Sequence, residues 1–356
     1  MKGLHSPGEI LAQRYRIIKY TAEGGMQYVY QAYDEILHRD VALKTPKNYS
    51  SEKRFNNSAI VSARVNHPNV AKTYDYFEEN GKPYLIEEFV HGADISYALL
   101  RISKYLDPYL TAKIFHYLAK GLASSHHVGV IHRDIKPSNI MITDGFHLSS
   151  IKITDFGIAK MADEELTVAA EGGNESIAAS QTALGALPYM APEAIESPRL
   201  AGTASDIWSL GALIFKLLTG LEPYGIGLKA VRNILEANEP NFPPFVFANQ
   251  HFSALSKQLS ELIISCLQKD PRLRPTADEL ADHCSALCYP IAERFIGKIK
   301  LIKYDSWGFI STEADDVFFH LDSVYGEKPI VGDSVMFSKY PGGSAWRSHP
   351  VVKIYS

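Results

Sequence analysis

The sequence predicts an α+β protein in which a β-rich lobe is followed by an α-rich lobe and then by a small five-stranded barrel. Three stretches with different apolar patterns indicate this order. Residues 15–90 alternate short apolar runs with turn residues, residues 98–288 show the longer period of amphipathic helices, and residues 298–355 return to short alternating runs. The 356 residues, 46% of them hydrophobic, are enough for two or three domains with a sizeable core.

The first segment predicts a small sheet with one helix. Strands are expected at residues 15–20, 27–33, 40–45, 70–77 and 84–90, and the helix at about residues 52–65. Long helices are expected at residues 110–127, 203–219, 255–267 and 276–288. Residues 161–183 are small, polar and acidic without an apolar period, which is typical of a mobile loop.

Composition narrows the classes of function. No apolar run reaches the roughly 18 residues that a bilayer-spanning helix needs, and residues 1–9 lack the apolar segment of a signal peptide. We therefore expect a cytoplasmic protein with no membrane partner. Three cysteines cannot form a paired disulfide framework, and the spacing of Cys284 and Cys288 predicts that they share a buried helix face. A net charge of −4 means that any nucleic-acid site must be local.

Three motifs carry the chemistry of phosphoryl transfer. They are IHRDIKPSN at residues 131–139, KITDFG at residues 152–157 and APE at residues 191–193. The transferred group carries spread negative charge, so cations must hold it while a carboxylate orients the attacking hydroxyl. This set, in this order, resembles the eukaryotic-type Ser/Thr protein kinases found in bacteria, over about residues 14–288. The resemblance implies a bilobal protein-kinase fold.

The resemblance also implies cofactors, partners and residue roles. ATP and Mg²⁺ would be the cofactors and proteins the substrates. Asp134 would be the catalytic base and Lys136 would neutralise the γ-phosphate, while Mg²⁺ would be held by Asn139 and Asp155. Lys44 would hold the α- and β-phosphates. The residues implied to bind ATP are Ala22, Gly24, Gly25, Val29, Ala42, Lys44, Glu87, Glu88 and Val90.

Two departures from the family pattern concern the glycine-rich loop and the segment after the activation loop. The first and third glycines of the loop are replaced by Ala22 and Gln27. Because glycine lets the backbone approach phosphates closely, we expect a reshaped loop tip and weaker ATP binding. Ala186 replaces the threonine that usually bridges the base and the catalytic lysine, which predicts lower activity or a relaxed hydroxyl preference.

Two further departures concern the ion-pair partner of Lys44, the lysine that would hold the α- and β-phosphates. Alignment with the family puts Ser58 where a helical glutamate normally pairs with that lysine, and it puts Glu87 at the gatekeeper position, which is normally apolar. A buried glutamate without a cation would be strongly unfavourable. We therefore expect Glu87 to pair with Lys44 in place of the missing glutamate. The alternative is a partly hydrated, unpaired Glu87.

The loop before Gly185 contains candidate phosphorylation sites. In the family, the residue equivalent to Arg133 pairs with a phosphate on the activation loop. The candidates are Thr182, Ser180 and Ser176, with the first two preferred because they lie nearest Gly185. The alternative is that these hydroxyls are only the solvated residues that abound in mobile loops.

The C-terminal segment, residues 297–356, resembles a cold-shock domain of the OB class. Alternation along two adjoining strands would expose an aromatic platform made of Trp307, Phe309, Phe318 and His320. Unpaired bases of single-stranded RNA or DNA stack on such platforms.

Three features of this segment weaken the nucleic-acid prediction. The family's first-strand aromatic is Leu301 here, and the lysine ahead of the platform is Asp305. Seven basic residues balance seven acidic ones, so few phosphates can be neutralised and affinity should be modest. The alternative is a barrel whose aromatics contact the kinase lobe.

The sequence thus predicts four segments: an N-terminal extension (1–13), a kinase domain (14–288) with a small lobe at about 14–90 and a large lobe at about 91–288, a linker (289–296) and a cold-shock-like domain (297–356). The predicted function is ATP- and Mg²⁺-dependent transfer of the γ-phosphate to Ser/Thr hydroxyls of proteins, with single-stranded nucleic acid as a candidate regulator. Two alternatives remain: a pseudokinase scaffold, and a nucleic-acid-binding protein with a regulatory kinase domain.

Overall fold

The computed structural model describes residues 3–23, 27–47, 55, 59–156, 185–290, 292–343 and 345–355. Of the predicted helix at residues 52–65, the described residues 55 and 59–62 are helical. The predicted loop at residues 161–183 lies outside the described residues, as do Ser176, Ser180 and Thr182.

The small lobe is built on a six-stranded antiparallel sheet with the strand order β1-β2-β3-β4-β6-β5. Its strands are β1 (Ile10–Leu11), β2 (Tyr15–Glu23), β3 (Gln27–Asp34), β4 (Arg39–Pro46), β5 (Thr73–Glu79) and β6 (Lys82–Glu88). Side chains alternate between the two faces of the sheet, and one face is buried. Ile17, Tyr30 and Val41 on this face are almost fully covered. β1 lies within the predicted N-terminal extension, so part of that extension belongs to the small-lobe sheet.

The large lobe is mainly α-helical, and its helix at Thr203–Thr219 is almost entirely buried. Its α-helices are α1 (Pro108–His127), α2 (Pro192–Glu196), α3 (Thr203–Thr219), α4 (Leu228–Glu236), α5 (Phe245–Ala248), α6 (Gln250–Cys266) and α7 (Ala277–Ser285). The lobe also contains a small sheet of β7 (Ala93–Asp94), β8 (Ile140–Thr143) and β9 (Ser150–Ile153), and Ile153 forms a β-bridge with Val70. No helix in the described part of the chain is long and apolar enough to cross a membrane.

The ends of two helices follow directly from their capping residues. α1 begins after Asp107, whose carboxylate accepts hydrogen bonds from the first backbone N–H groups, with Pro108 in the first helical position. α7 begins with a capping box formed by Thr276 and Glu279 and ends at Ser285.

The prediction that Cys284 and Cys288 share a buried helix face is therefore wrong. Cys288 lies beyond the end of the helix and is exposed, whereas Cys284 is buried.

The C-terminal segment forms the predicted five-stranded barrel, which is closed in the order β10-β11-β12-β14-β13. The strands are β10 (Phe295–Lys303), β11 (Trp307–Ser311), β12 (Asp316–His320), β13 (Ser334–Tyr340) and β14 (Arg347–Lys353). Ile310, Val317 and Phe319 point into its core and are fully buried. β10 starts inside the predicted linker, which leaves an even shorter connection to the large lobe.

The barrel packs directly on the large lobe. Tyr325, Met336 and Val352 of the barrel segment belong to the same buried apolar cluster as α1, α3 and α6. The Tyr325 hydroxyl donates a hydrogen bond to the carbonyl of Leu218 at the end of α3, at 2.9 Å. The barrel is therefore held against the lobe by a continuous apolar core and by specific polar contacts.

Candidate active site

The strand lysine is held by two carboxylates at the junction of the lobes. The Lys44 ammonium contacts Glu87 Oε2 and lies 2.7 Å from Asp155 Oδ1. The Lys44 and Glu87 side chains are only 6% and 3% exposed. The predicted pairing of Glu87 with Lys44 is therefore present, and the alternative of a hydrated, unpaired Glu87 is wrong.

The three charges of this cluster shift one another's pKa values. Burial alone would lower the pKa of Lys44, but the attraction of Asp155 and Glu87 outweighs it and raises that pKa. Burial raises the pKa of Glu87 despite its contact with Lys44. Burial opposes ionisation of Asp155 too, yet Lys44 and Gln27 together lower its pKa. With one cation against two carboxylates, the ionised cluster carries a net negative charge that favours a further cation.

The catalytic-loop residues converge on Asp134. Lys136 Nζ lies 2.8 Å from Asp134 Oδ2. Asn139 donates hydrogen bonds to Asp134 Oδ2 at 3.0 Å and to its carbonyl oxygen at 2.8 Å. Ala186 has no hydroxyl with which to bridge Asp134 and Lys136, and the direct contact of Lys136 with Asp134 keeps these two groups together.

A buried carboxylate at the start of α3 holds the catalytic loop in place. Asp206, which is fully buried, accepts hydrogen bonds from the backbone N–H groups of His132 at 2.8 Å and Arg133 at 2.6 Å. His132 in turn contacts the carbonyl oxygen of Thr154 at 2.8 Å, next to Asp155. These contacts fix the positions of Asp134 and Asp155 relative to each other.

The residues present fit a magnesium ion that arrives with a nucleotide. Within the described ranges, no group of three or more His, Cys, Asp or Glu side chains is arranged to hold a metal. Asp155 and Asn139 offer a carboxylate and an amide oxygen, and the Thr154 N–H donates to the Asn139 carbonyl at 2.9 Å, which keeps the two residues close. Mg²⁺ is typically held by one or two carboxylates, waters and substrate phosphates, and this donor set matches that pattern.

The other residues implied to bind ATP are only partly described. Ala22 lies in β2 opposite Val29 of β3, and Ala42 and Val90 are nearly buried. Glu88 follows Glu87 at the end of β6 and is partly exposed. Gly24, Gly25 and Ser58 lie outside the described residues.

Gln27 is a site contact that the sequence analysis missed. Its side chain donates a hydrogen bond to Asp155 Oδ1 at 2.9 Å. Val29 of β3 pairs directly with Lys44 of β4, so Gln27, two residues earlier, projects from the same face of the sheet. This register, which the sequence alone does not specify, brings the two side chains to one carboxylate.

The aromatic side chains on the outer face of β11 and β12 form one partly exposed cluster. Trp307 pairs with His320 and Phe309 with Phe318 across β11 and β12. The ring centroids of Trp307, Phe309 and Phe318 lie 5.9–6.1 Å apart. Tyr304, which the sequence analysis did not include, is 87% exposed and its ring centroid lies 6.5 Å from that of Trp307.

A solved structure and several bacterial proteins are similar to most of this chain. The crystal structure of Rad53 1-466 in complex with AMP-PNP aligns with a TM-score of 0.59 at 24% identity, covering 76% of this chain and 64% of that one. This likeness concerns the fold alone. The serine/threonine-protein kinase PrkC of Bacillus subtilis (strain 168) is 31% identical over 279 residues, which are 77% of this chain and 40% of that protein.

A second bacterial protein is similar to this chain at a comparable level of identity. The serine/threonine-protein kinase PknA of Mycobacterium tuberculosis (strain ATCC 25177 / H37Ra) is 33% identical over 292 residues, which are 77% of this chain and 62% of that protein. This chain thus spans less than two thirds of the length of each of these two relatives. A family model described as the protein kinase domain matches residues 15–284. Because this match covers well over half of the 356 residues, the chain belongs to the protein kinase domain family.

Proposed function

We propose that this protein transfers the γ-phosphate of ATP, with Mg²⁺, to serine and threonine hydroxyls of proteins. The observation that carries the proposal is a continuous chain of contacts that joins Lys44 to Asp155, Thr154 to Asn139, and Asn139 and Lys136 to Asp134. Related bacterial proteins that carry the same domain are named serine/threonine-protein kinases. Family membership and side-chain geometry therefore favour the same reaction.

In the proposed reaction, the chain's own side chains orient the reactants and move one proton. Asp134 accepts the proton of the attacking hydroxyl, whose oxygen forms the new P–O bond as the bond to ADP breaks. Lys136 neutralises charge on the transferred group, and Lys44 holds the α- and β-phosphates. Bound at Asp155 and Asn139, Mg²⁺ would neutralise the phosphates.

The pseudokinase alternative is less well supported. The structure keeps Asp134, Lys136 and Asn139 in mutual contact. Lys44 also has a buried carboxylate partner in Glu87, although Ser58 occupies the usual partner's position. The departures therefore leave each proposed phosphate, metal and base position supplied with a suitable side chain.

We further propose that the barrel resembles a cold-shock domain in function and binds single-stranded nucleic acid on its aromatic platform. The docking contacts use other residues, including Tyr325, Met336 and Arg294, so the platform stays partly exposed. Its edge at His320 borders a cleft of about 640 Å³ that is also lined by Asn249 and His251 of the large lobe. A strand bound on the platform would reach both parts of the chain, which supports a regulatory role.

The transfer activity is tested with γ-labelled ATP and a generic protein substrate, with Mg²⁺ or with excess chelator. The proposal expects metal-dependent label on serine and threonine. Label on tyrosine alone, or no label above an enzyme-free control, would contradict it. Adding a pyrimidine-rich single strand to the same assay tests the regulatory proposal, which expects a change in rate.

A further inference from the structure

Gln27 occupies a position that is glycine in the family pattern, and its side chain enters the active site. The side chain is buried, with 5% of the residue exposed. Its Nε2 donates to Asp155 Oδ1 at 2.9 Å, and Lys44 Nζ reaches the same oxygen at 2.7 Å. Among the described residues, no hydrogen bond reaches the other carboxylate oxygen of Asp155, Oδ2. Within the described ranges, one oxygen of this carboxylate is therefore held by two donors and the other accepts no hydrogen bond.

The opposite end of the same amide has no hydrogen-bond partner in the part of the chain that the structure describes. Gln27 Oε1 is buried and accepts no hydrogen bond from any described residue. A buried acceptor without a donor is unfavourable, and such groups in folded proteins usually have a partner. The amide is fixed by its nitrogen, so its oxygen cannot turn away to solvent without breaking the contact with Asp155. This pattern is expected of a group whose donor arrives with a ligand.

We propose that Gln27 is a positioning residue of the nucleotide site that orients Asp155 for the metal and offers its amide oxygen to a donor of the bound metal–nucleotide complex. The inference rests on the proposed function, because it requires Mg²⁺ and ATP to bind between the lobes. It assigns Gln27 a role that the usual glycine cannot perform. The residue acts through Asp155 and does not take part in the chemical step.

The test measures nucleotide binding rather than turnover. Affinity of the full chain for a non-hydrolysable ATP analogue is determined by calorimetry with Mg²⁺ and with excess chelator. The ratio of the two affinities, which we call the metal-dependent gain, reports how much Mg²⁺ contributes to nucleotide binding. Gln27→Met keeps the approximate length and volume of the side chain but removes both the oxygen and the nitrogen of the amide. We expect it to reduce the metal-dependent gain about tenfold, as for loss of a hydrogen bond to a charged group, while affinity in chelator changes little.

The chain offers a matched control in Gln31 of the same strand. Gln31 Nε2 donates to Asp40 Oδ2 at 3.0 Å, so it makes the same kind of contact away from Asp155. Gln31→Met should leave the metal-dependent gain unchanged. Gln27→Gly, which restores the usual family residue, should show the same loss as Gln27→Met, and melting temperatures verify that each variant is folded.

Three outcomes would overturn the inference. An equal loss of affinity with and without metal would indicate a packing role for Gln27. A stronger metal-dependent gain in Gln27→Met would indicate that the native amide blocks the metal. An unchanged gain in both Gln27 variants would show that the contact is dispensable. If the parent binds no analogue under either condition, the proposed function itself fails.

Discussion

Asp107 and Arg294 form a buried ion pair that joins the first long helix of the large lobe to the barrel. Arg294 Nη2 lies 3.0 Å from Asp107 Oδ1, and the two side chains are 6% and 0% exposed. The same Asp107 carboxylate also caps α1. One side chain therefore both starts a helix of the kinase domain and holds the segment that leads into the barrel, so we expect the two parts to unfold together.

Removal of the arginine tests this coupling. Arg294→Leu leaves Asp107 buried with only the helix N-terminus to stabilise its charge, so we expect a loss of about 3 kcal/mol in unfolding free energy. Denaturant unfolding of the full chain measures it. The matched control is Arg272→Leu, whose exposed pair with Asp270 should leave stability unchanged. Two independent unfolding transitions in the parent, or equal stability of Arg294→Leu, would contradict the coupling.

The interface should weaken in mild acid because of His349. Its ring stacks on Phe252, with Tyr109 and His251 in contact and Asp107 and Arg294 nearby. Burial, with a smaller effect of His251, lowers the pKa of His349 from 6.5 to about 4. Below pH 6.5 the unfolded chain therefore binds a proton that the folded chain excludes, and stability falls until the pH reaches about 4.

The variant His349→Gln isolates this contribution, because glutamine can keep a hydrogen bond to Tyr109 but does not titrate. The stability difference between parent and variant should change by about 1–2 kcal/mol between neutral pH and pH 4, a value reduced for the partial exposure of the ring. Melting temperatures across this range provide the measurement. Parallel pH profiles of the two proteins would contradict the assignment.

The pairing of Glu87 with Lys44 should support nucleotide use. Glu87→Met leaves Lys44 with Asp155 alone, so we expect kcat/KM for ATP to fall about tenfold. Adding Ser58→Glu to this variant supplies a carboxylate at the usual family position and should restore activity to at least the parent level. Steady-state transfer assays compare the three proteins. Full activity of Glu87→Met alone would show that Glu87 is not a substitute for the missing glutamate.

Single-strand binding should depend on the aromatic platform. Trp307→Ala should weaken binding to a pyrimidine-rich single strand by about 1–3 kcal/mol. The dependence on salt should be shallow because the segment has no net charge. Trp346→Ala is the matched control, since its ring lies 5.1 Å from Lys339 Nζ and outside the platform. If the parent binds no single strand at low salt, the barrel is a module for protein contacts only.

The fold and part of the site could be predicted because they depend on local patterns. Alternation in β11 and β12 was sufficient to separate the platform from the core residues Ile310 and Phe319. The contact of Glu87 with Lys44 could be predicted because a buried carboxylate in the kinase fold has few cations within reach.

Other features depend on tertiary contacts that the sequence does not specify. The hydrogen bond between Gln27 and Asp155 joins residues far apart in the chain, and it needs both the register of β3 on β4 and one side-chain conformation. Cys288 was misplaced because the spacing of apolar residues does not show that α7 stops at Ser285. The docking contact of Tyr325 with Leu218 similarly depends on how two domains meet.

The most direct test of the proposed function is γ-phosphate transfer by the parent, Asp134→Asn and Asp155→Asn, assayed together. Both substitutions keep side-chain size and remove the carboxylate of the proposed base or of a proposed metal ligand, so the variants should unfold at about the same temperature as the parent. We predict metal-dependent transfer to serine or threonine by the parent and none above background by either variant. Undiminished transfer by either folded variant would contradict the assigned site, and no transfer by the parent would contradict the proposed activity.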